Sequence, residues 1–161
     1  MKRNLKEDKT GISKKDLESS IKTLTSVLSN EMILYTKTRN FHWGSVSGNI
    51  FTEIHRLFEN QYLELAQVID EVAERVKILG GQEMGTTDEF FDNATLREST
   101  QNIDRDKMIA ELLSDHEQVT TELRSSIVKL SETNDYGTIY FLTGLALKHE
   151  SKTWILRKHI N

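Results

Sequence analysis

The sequence predicts an all-α chain: a four-helix bundle with a short helix in the long crossover between its second and third long helices. Three observations predict it. Apolar residues recur at three- and four-residue steps through four long stretches, the period of a helix buried along one face. Proline, the usual helix stopper, is absent from all 161 residues. Turn signals are few and clustered, whereas a β-rich chain carries them at short, regular intervals.

Residues 1–12 lack apolar periodicity and read as a flexible basic tail, leaving 13–161 for the bundle domain. Ser13 followed by Asp16 resembles a capping box, with Asp in place of the preferred Glu. Behind it, Leu17, Ile21, Leu24, Leu28, Met32 and Tyr35 form one apolar stripe, so a first helix is expected over about 14–42. Gly44, Ser45, Ser47 and Gly48 mark a loop. A second helix runs from about 49 to 79, stopped by Gly80-Gly81. Residues 82–103 are polar and irregular, with a short helix around Thr87–Asn93 opened by Thr87-Asp88. A connection of that length suits a crossover between bundle helices. A third helix begins near Asp104, with the stripe Met108, Ile109, Leu112, Leu113, Val119, Leu123, Ile127 and Leu130. Asn134, Asp135 and Gly137 break it. A fourth, with Ile139, Leu142, Leu145, Ala146, Trp154 and Leu156 among its apolar residues, reaches about His159.

Composition narrows the chemistry. Cysteine is absent, which excludes disulfides and thiolate chemistry, so a metal must be held by His, Asp, Glu or backbone oxygen. No apolar run is long enough to span a bilayer, and the N-terminus lacks the apolar core of a signal peptide. A cytoplasmic protein without a membrane partner is the expectation. Net charge is −4, unevenly spread. Lys2, Arg3, Lys6, Lys9, Lys14 and Lys15 against Glu7 and Asp8 give residues 1–15 a side-chain charge of +4, leaving −8 for the remainder. A basic arm on an acidic body invites a nucleic-acid reading, although charge runs are usually just solvated.

The second helix carries the informative constellation. His55 and Glu59 are four residues apart, and so are Asp70 and Glu74. Each pair projects from one helix face, one turn apart, and suits a divalent cation. The pairs are offset by 15 residues, about 22 Å along the axis and about 60° around it. One chain therefore cannot bring them to one ion, whose bonds are on the order of 2 Å. Two antiparallel copies related by a two-fold axis can, setting His55 and Glu59 of one chain against Asp70 and Glu74 of the other. Polar residues at these spacings also make ordinary surface salt bridges, and that reading stays open here. A Glu-x-x-His pair, which di-iron bundles use within one chain, occurs nowhere.

The run Asn40-Phe41-His42-Trp43, then His55-x-x-Phe58-Glu59, then Ile69-Asp70-Glu71-x-Ala73-Glu74-Arg75, closing on Leu79-Gly80-Gly81, strongly resembles the Dps family of miniferritins. Tyr35-Thr36-Lys37, Asp135-x-Gly137-Thr138 and His149-Glu150 before Trp154-Ile155-Leu156-Arg157 extend the resemblance over most of the chain. It implies a ferritin-like bundle, a dodecameric cage built from two-fold dimers, and di-iron ferroxidase centres at dimer interfaces. Hydrogen peroxide, or more slowly oxygen, would be the oxidant. His42, His55 and Glu59 match the ligands of one chain, and Asp70 and Glu74 those of its neighbour. Trp43 matches the aromatic beside the centre, and Asp135 resembles a carboxylate lining the three-fold pore. Two departures stand out. The His42–His55 segment is one residue longer than usual, with Gly44 for a common Asn, and Glu59 stands where Asp is commoner.

The function expected from this resemblance is an iron-sequestering ferroxidase that stores ferric oxide and protects DNA. The competing reading is a DNA-compacting or structural cage with little oxidation. Zinc or manganese would also suit these ligands. Twelve basic arms acting together would bind DNA through salt-sensitive phosphate contacts and place the protein at the nucleoid. His116 and His149 read as packed histidines rather than ligands, and His159 as a cation at a helix end. Trp43 could be interface core or a redox aromatic. Arg75 could pair with a carboxylate across the interface or merely be solvated. Glu64 and Glu71 read as solvated charges.

Overall fold

Four long helices and one short one form where the apolar periodicity puts them: α1 (Lys14–Trp43), α2 (Phe51–Ile78), α3 (Thr87–Asn93), α4 (Arg105–Leu130) and α5 (Tyr136–Arg157). The computed structural model describes residues 11–44, 48–82, 84–99 and 103–160. Lys2, Arg3, Lys6 and Lys9 of the basic arm lie outside them. Among the described residues no helix is long and apolar enough to cross a membrane.

The helix ends follow local chemistry. Ser13 Oγ accepts the Asp16 backbone N–H at 3.2 Å and donates to the Asp16 carboxylate at 2.8 Å. Asp16 thus meets the hydroxyl of the cap, one methylene short of the reach that Glu uses in a full box. α3 has the full box, but its cap is Thr86, one residue before the expected opening, paired with Glu89. α2 ends in a Schellman-type turn, with Gly80 at φ 80° and the Gly81 N–H on the Val76 carbonyl at 2.9 Å.

α1 packs on α2, α4 packs on α5, α3 lies across α1, and α1 also meets α4. Leu24, Leu34, Phe58, Leu65, Ile109, Leu112, Leu123 and Leu142 fill the centre. Each such side chain contributes about 1.5–3 kcal/mol relative to exposure. The crossover is tied down by Asn30 of α1. Its carbonyl oxygen accepts the Thr95 and Leu96 N–H groups at 2.8 and 3.1 Å, and its amide donates to Glu122 at 2.8 Å.

Several polar side chains sit where apolar periodicity gives no sign of them. Arg75 neither reaches outward nor is merely solvated: it donates to Asp135 at 2.9 Å and to Thr138 at 3.1 Å within its own chain. Glu71 accepts from Lys148 at 3.1 Å and Glu64 from Lys152, so both carboxylates bridge α2 to α5 rather than only facing water. Trp154, by contrast, is exposed.

His116 and His149 are buried and hydrogen-bonded, as the packed reading expects. His149 Nε2 donates to Glu31 at 2.9 Å, and its Nδ1 lies 2.8 Å from His116 Nδ1, so one proton is shared between the rings. Burial first, then the charges of His149 and Lys152, holds the His116 pKa well below the ordinary imidazole value of 6.5. The folded chain therefore resists a proton that the unfolded chain accepts, and stability falls as pH drops below about 6.5. Denaturation midpoints from pH 8 to pH 5 are expected to decline, with a shallower decline in His116→Gln. An unchanged slope in that variant would remove His116 as the cause.

Candidate metal centre

α1 and α2 run antiparallel, which brings the last turn of α1 beside the first turns of α2. Gly48, at φ 123°, turns the chain between them, and its carbonyl accepts the Phe51 N–H at 3.1 Å. His42 therefore meets His55. The His42 Nδ1–H donates to the His55 carbonyl oxygen at 3.1 Å. A carbonyl can only accept, so this bond fixes the tautomer and leaves Nε2 with its lone pair free for a metal.

The two imidazoles stack with ring centroids 3.8 Å apart at 24°. Tyr62 meets His42 edge-on at 5.2 Å, and Phe51 stacks on the far side of His55 at 5.1 Å. Beneath them, Phe41 and Phe58 belong to the core. Glu59, half-buried, stands one turn beyond His55.

Asp70 and Glu74 are exposed further along α2, about 22 Å from His55 and Glu59 by helical rise. Among the described residues of one chain no group of three or more His, Asp or Glu converges to hold a metal ion. His42 and His55 are thus brought together; Glu59 follows His55 by one helical turn, and Asp70 and Glu74 are not brought to them. The residues present fit a cation on one observation above all: His55 Nδ1 is buried with no partner among the described residues. An unpaired buried nitrogen costs about 1–3 kcal/mol, and a ring held by a bound ion and a second chain would recover it.

Trp43 is 64% exposed, with the Arg39 guanidinium 5.0 Å from its ring. The same guanidinium lies 5.7 Å from Tyr35 and 5.9 Å from Tyr62, and donates to the Tyr35 hydroxyl at 2.6 Å. Tyr62 thus packs on His42 and Arg39 on Tyr62, and ligand spacing singles out neither. The available signal is helical position, since Arg39 precedes His42 by three residues and Tyr62 follows His55 by seven.

Asp135 corrects the pore expectation. Its side chain is fully buried. It caps α5, accepting the Thr138 N–H at 3.0 Å and hydroxyl at 2.6 Å, and it holds Arg75. A carboxylate enclosed this way within its own chain presents no surface to a channel. Gly137 permits the pairing, because a Cβ there would stand 2.9 Å from Arg75 Nη2. Lys14 and Lys15, the described part of the basic arm, are exposed on the first turn of α1.

The ferritin-like domain family matches residues 21–161. An uncharacterized low temperature-induced protein of Nostoc is 37% identical over 152 residues, spanning 93% of this chain and 84% of its own length. DNA protection during starvation protein 2 of Bacillus anthracis is 30% identical over 141 residues, spanning 88% and 96%. The fold superposes with a TM-score of 0.89 and 25% identity, over 98% of each chain, on a Dps protein of Vibrio cholerae O1 described as a member of a broad superfamily of ferritin-like diiron-carboxylate proteins.

Proposed function

The chain belongs to the Dps family of ferritin-like proteins, and from that premise we propose that it oxidises ferrous iron at centres shared between two chains and stores the ferric product in a cage of twelve. Hydrogen peroxide is the preferred oxidant in this reading, with oxygen slower. The observation that supports it is the division of the ligand set. His42 and His55 stack within one chain with Glu59 one turn along α2, while Asp70 and Glu74 are exposed further along the same helix, too far away to reach them.

An isologous pairing of α2 with a second copy completes the set. Opposing His55 to Glu74 and Glu59 to Asp70 puts the two-fold axis between residues 64 and 65, beside the exposed Leu63, an apolar contact at the centre of the interface. Two imidazoles and three carboxylates then surround two substrate ions. Two ferrous ions each give one electron to peroxide, which takes two protons and leaves as two waters, so no one-electron reduction releases hydroxyl radical. The ligands must be deprotonated, so acid unloads the centre. Zinc or manganese would occupy the same donors. Removing iron and peroxide together would protect DNA, and the basic arms would add a salt-dependent hold on it.

Stoichiometry tests the reading. Anaerobic protein loaded with ferrous iron is expected to consume one peroxide for every two irons oxidised, without a hydroxyl adduct on a spin trap. One iron per peroxide, with the radical adduct, would overturn it.

A further inference from the structure

Outside the iron chemistry, α1 and α4 enclose a groove of about 210 Å³ whose lining includes Ser19, Lys22, Thr23 and Ser26 on one wall and Ser126 and Lys129 on the other. Among the described residues neither lysine has a carboxylate partner. The hydroxyls of Ser19, Thr23 and Ser126 make no hydrogen bond there, and that of Ser26 only a long one, 3.4 Å, to the Asn93 carbonyl. We propose that this groove binds a phosphate group.

The donor set argues for that ligand. Two ammonium groups match the charge near −2 of orthophosphate, or two successive singly charged phosphates of a nucleic-acid backbone, better than the single charge of a carboxylate. Each ammonium brings three donors and each hydroxyl one, enough for the three or four oxygens of a phosphoryl group. Glu122 also lines the groove, and an unengaged carboxylate would repel an anion. It is engaged: Asn30 donates to it at 2.8 Å, Thr95 at 2.8 and 2.9 Å, and Gln118 at 3.0 Å. Its oxygens are taken up by those donors, and its single charge is outweighed by the two ammonium groups, so the groove stays net positive. Lys15, Ser19, Lys22 and Ser26 follow one another at four-, three- and four-residue steps, so the α1 wall is a single stripe leading from the basic arm.

The phosphate could be free orthophosphate or the backbone of DNA, and one pair of measurements distinguishes them. Assembled full-length protein and its Lys22→Gln/Lys129→Gln variant are compared. Both side chains are exposed, so helix content and iron oxidation should not change. Calorimetric titration with orthophosphate, against sodium chloride of equal ionic strength, is expected to show one site per chain, weakened at least about tenfold in the variant. A 30-base-pair duplex is then titrated at several salt concentrations. If the backbone is the source, the variant also loses duplex affinity, and its log–log salt slope falls by about 0.9 for each lost phosphate contact. If only orthophosphate responds, the free ion is the ligand. Equal orthophosphate and duplex binding by the two proteins, or none by either, would overturn the proposal and leave the iron reading untouched.

Discussion

Two inactive variants are expected to make an active shell. His55→Ala/Glu59→Ala removes two ligands from the histidine half of the centre, and Asp70→Ala/Glu74→Ala removes the carboxylate half. Each alone should lower peroxide-driven iron oxidation by at least about 100-fold, since even outer-shell changes at metal sites cost about 10–100-fold. Coexpressed in equal amounts, they pair at random into dimers, half of them mixed. A mixed dimer has one centre with both halves damaged and one with both intact. About a quarter of the wild-type rate should therefore return. Stopped-flow absorbance of the ferric product measures the rate, and mass spectrometry verifies that both chains share one shell. Mixed shells with no recovered activity would mean that each chain needs both halves for itself, and the shared centre would be lost as an idea.

Arg75→Ala is expected to have the largest effect on stability. It leaves the Asp135 carboxylate buried without its counter-ion, and breaking a buried pair by removing one partner costs about 3–5 kcal/mol. Arg75 is partly exposed, its side chain at 21%, so about 3 kcal/mol is expected. Urea midpoints of the assembled protein report it, and Asp135→Asn in the same background should recover part of the loss by removing the orphaned charge. A single Arg75→Ala midpoint equal to wild type would show that the Thr138 bonds suffice. Burial alone would raise the Asp135 pKa, but the hydrogen bonds from Thr138 and the Arg75 charge prevail and hold it below the ordinary carboxylate value. The stabilisation is thus full above about pH 4 and is lost as pH falls through the depressed folded value.

Much of the candidate centre was legible because helical spacing is a local property. The four-residue steps of His55–Glu59 and Asp70–Glu74, and the 15-residue offset between them, already mean that one chain cannot bring both pairs to one ion. His42 was not legible from spacing; only the family resemblance named it. Its place beside His55 depends on two helices meeting across a loop, and no periodicity within either helix records that. Arg75 and Asp135 were misread for a similar reason. A charged residue in an amphipathic pattern looks solvated or intermolecular, and its true partner lies 60 residues away.

The amino-acid pattern alone determined the long helices, the Ser13 cap of the first, the Gly80-Gly81 stop of the second and the stripe each buries. Those features follow from hydrogen bonds and side-chain contacts within a few residues. Only the tertiary structure decided which polar groups meet: His42 with His55, Arg75 with Asp135, Glu31 with His149 and His116, and the lysines of α1 and α4 across one groove. An apolar stripe fixes which side of a helix turns inward but leaves its axial shift and exact rotation free. Those two quantities, set by packing among all the helices at once, select the partner of every buried charge.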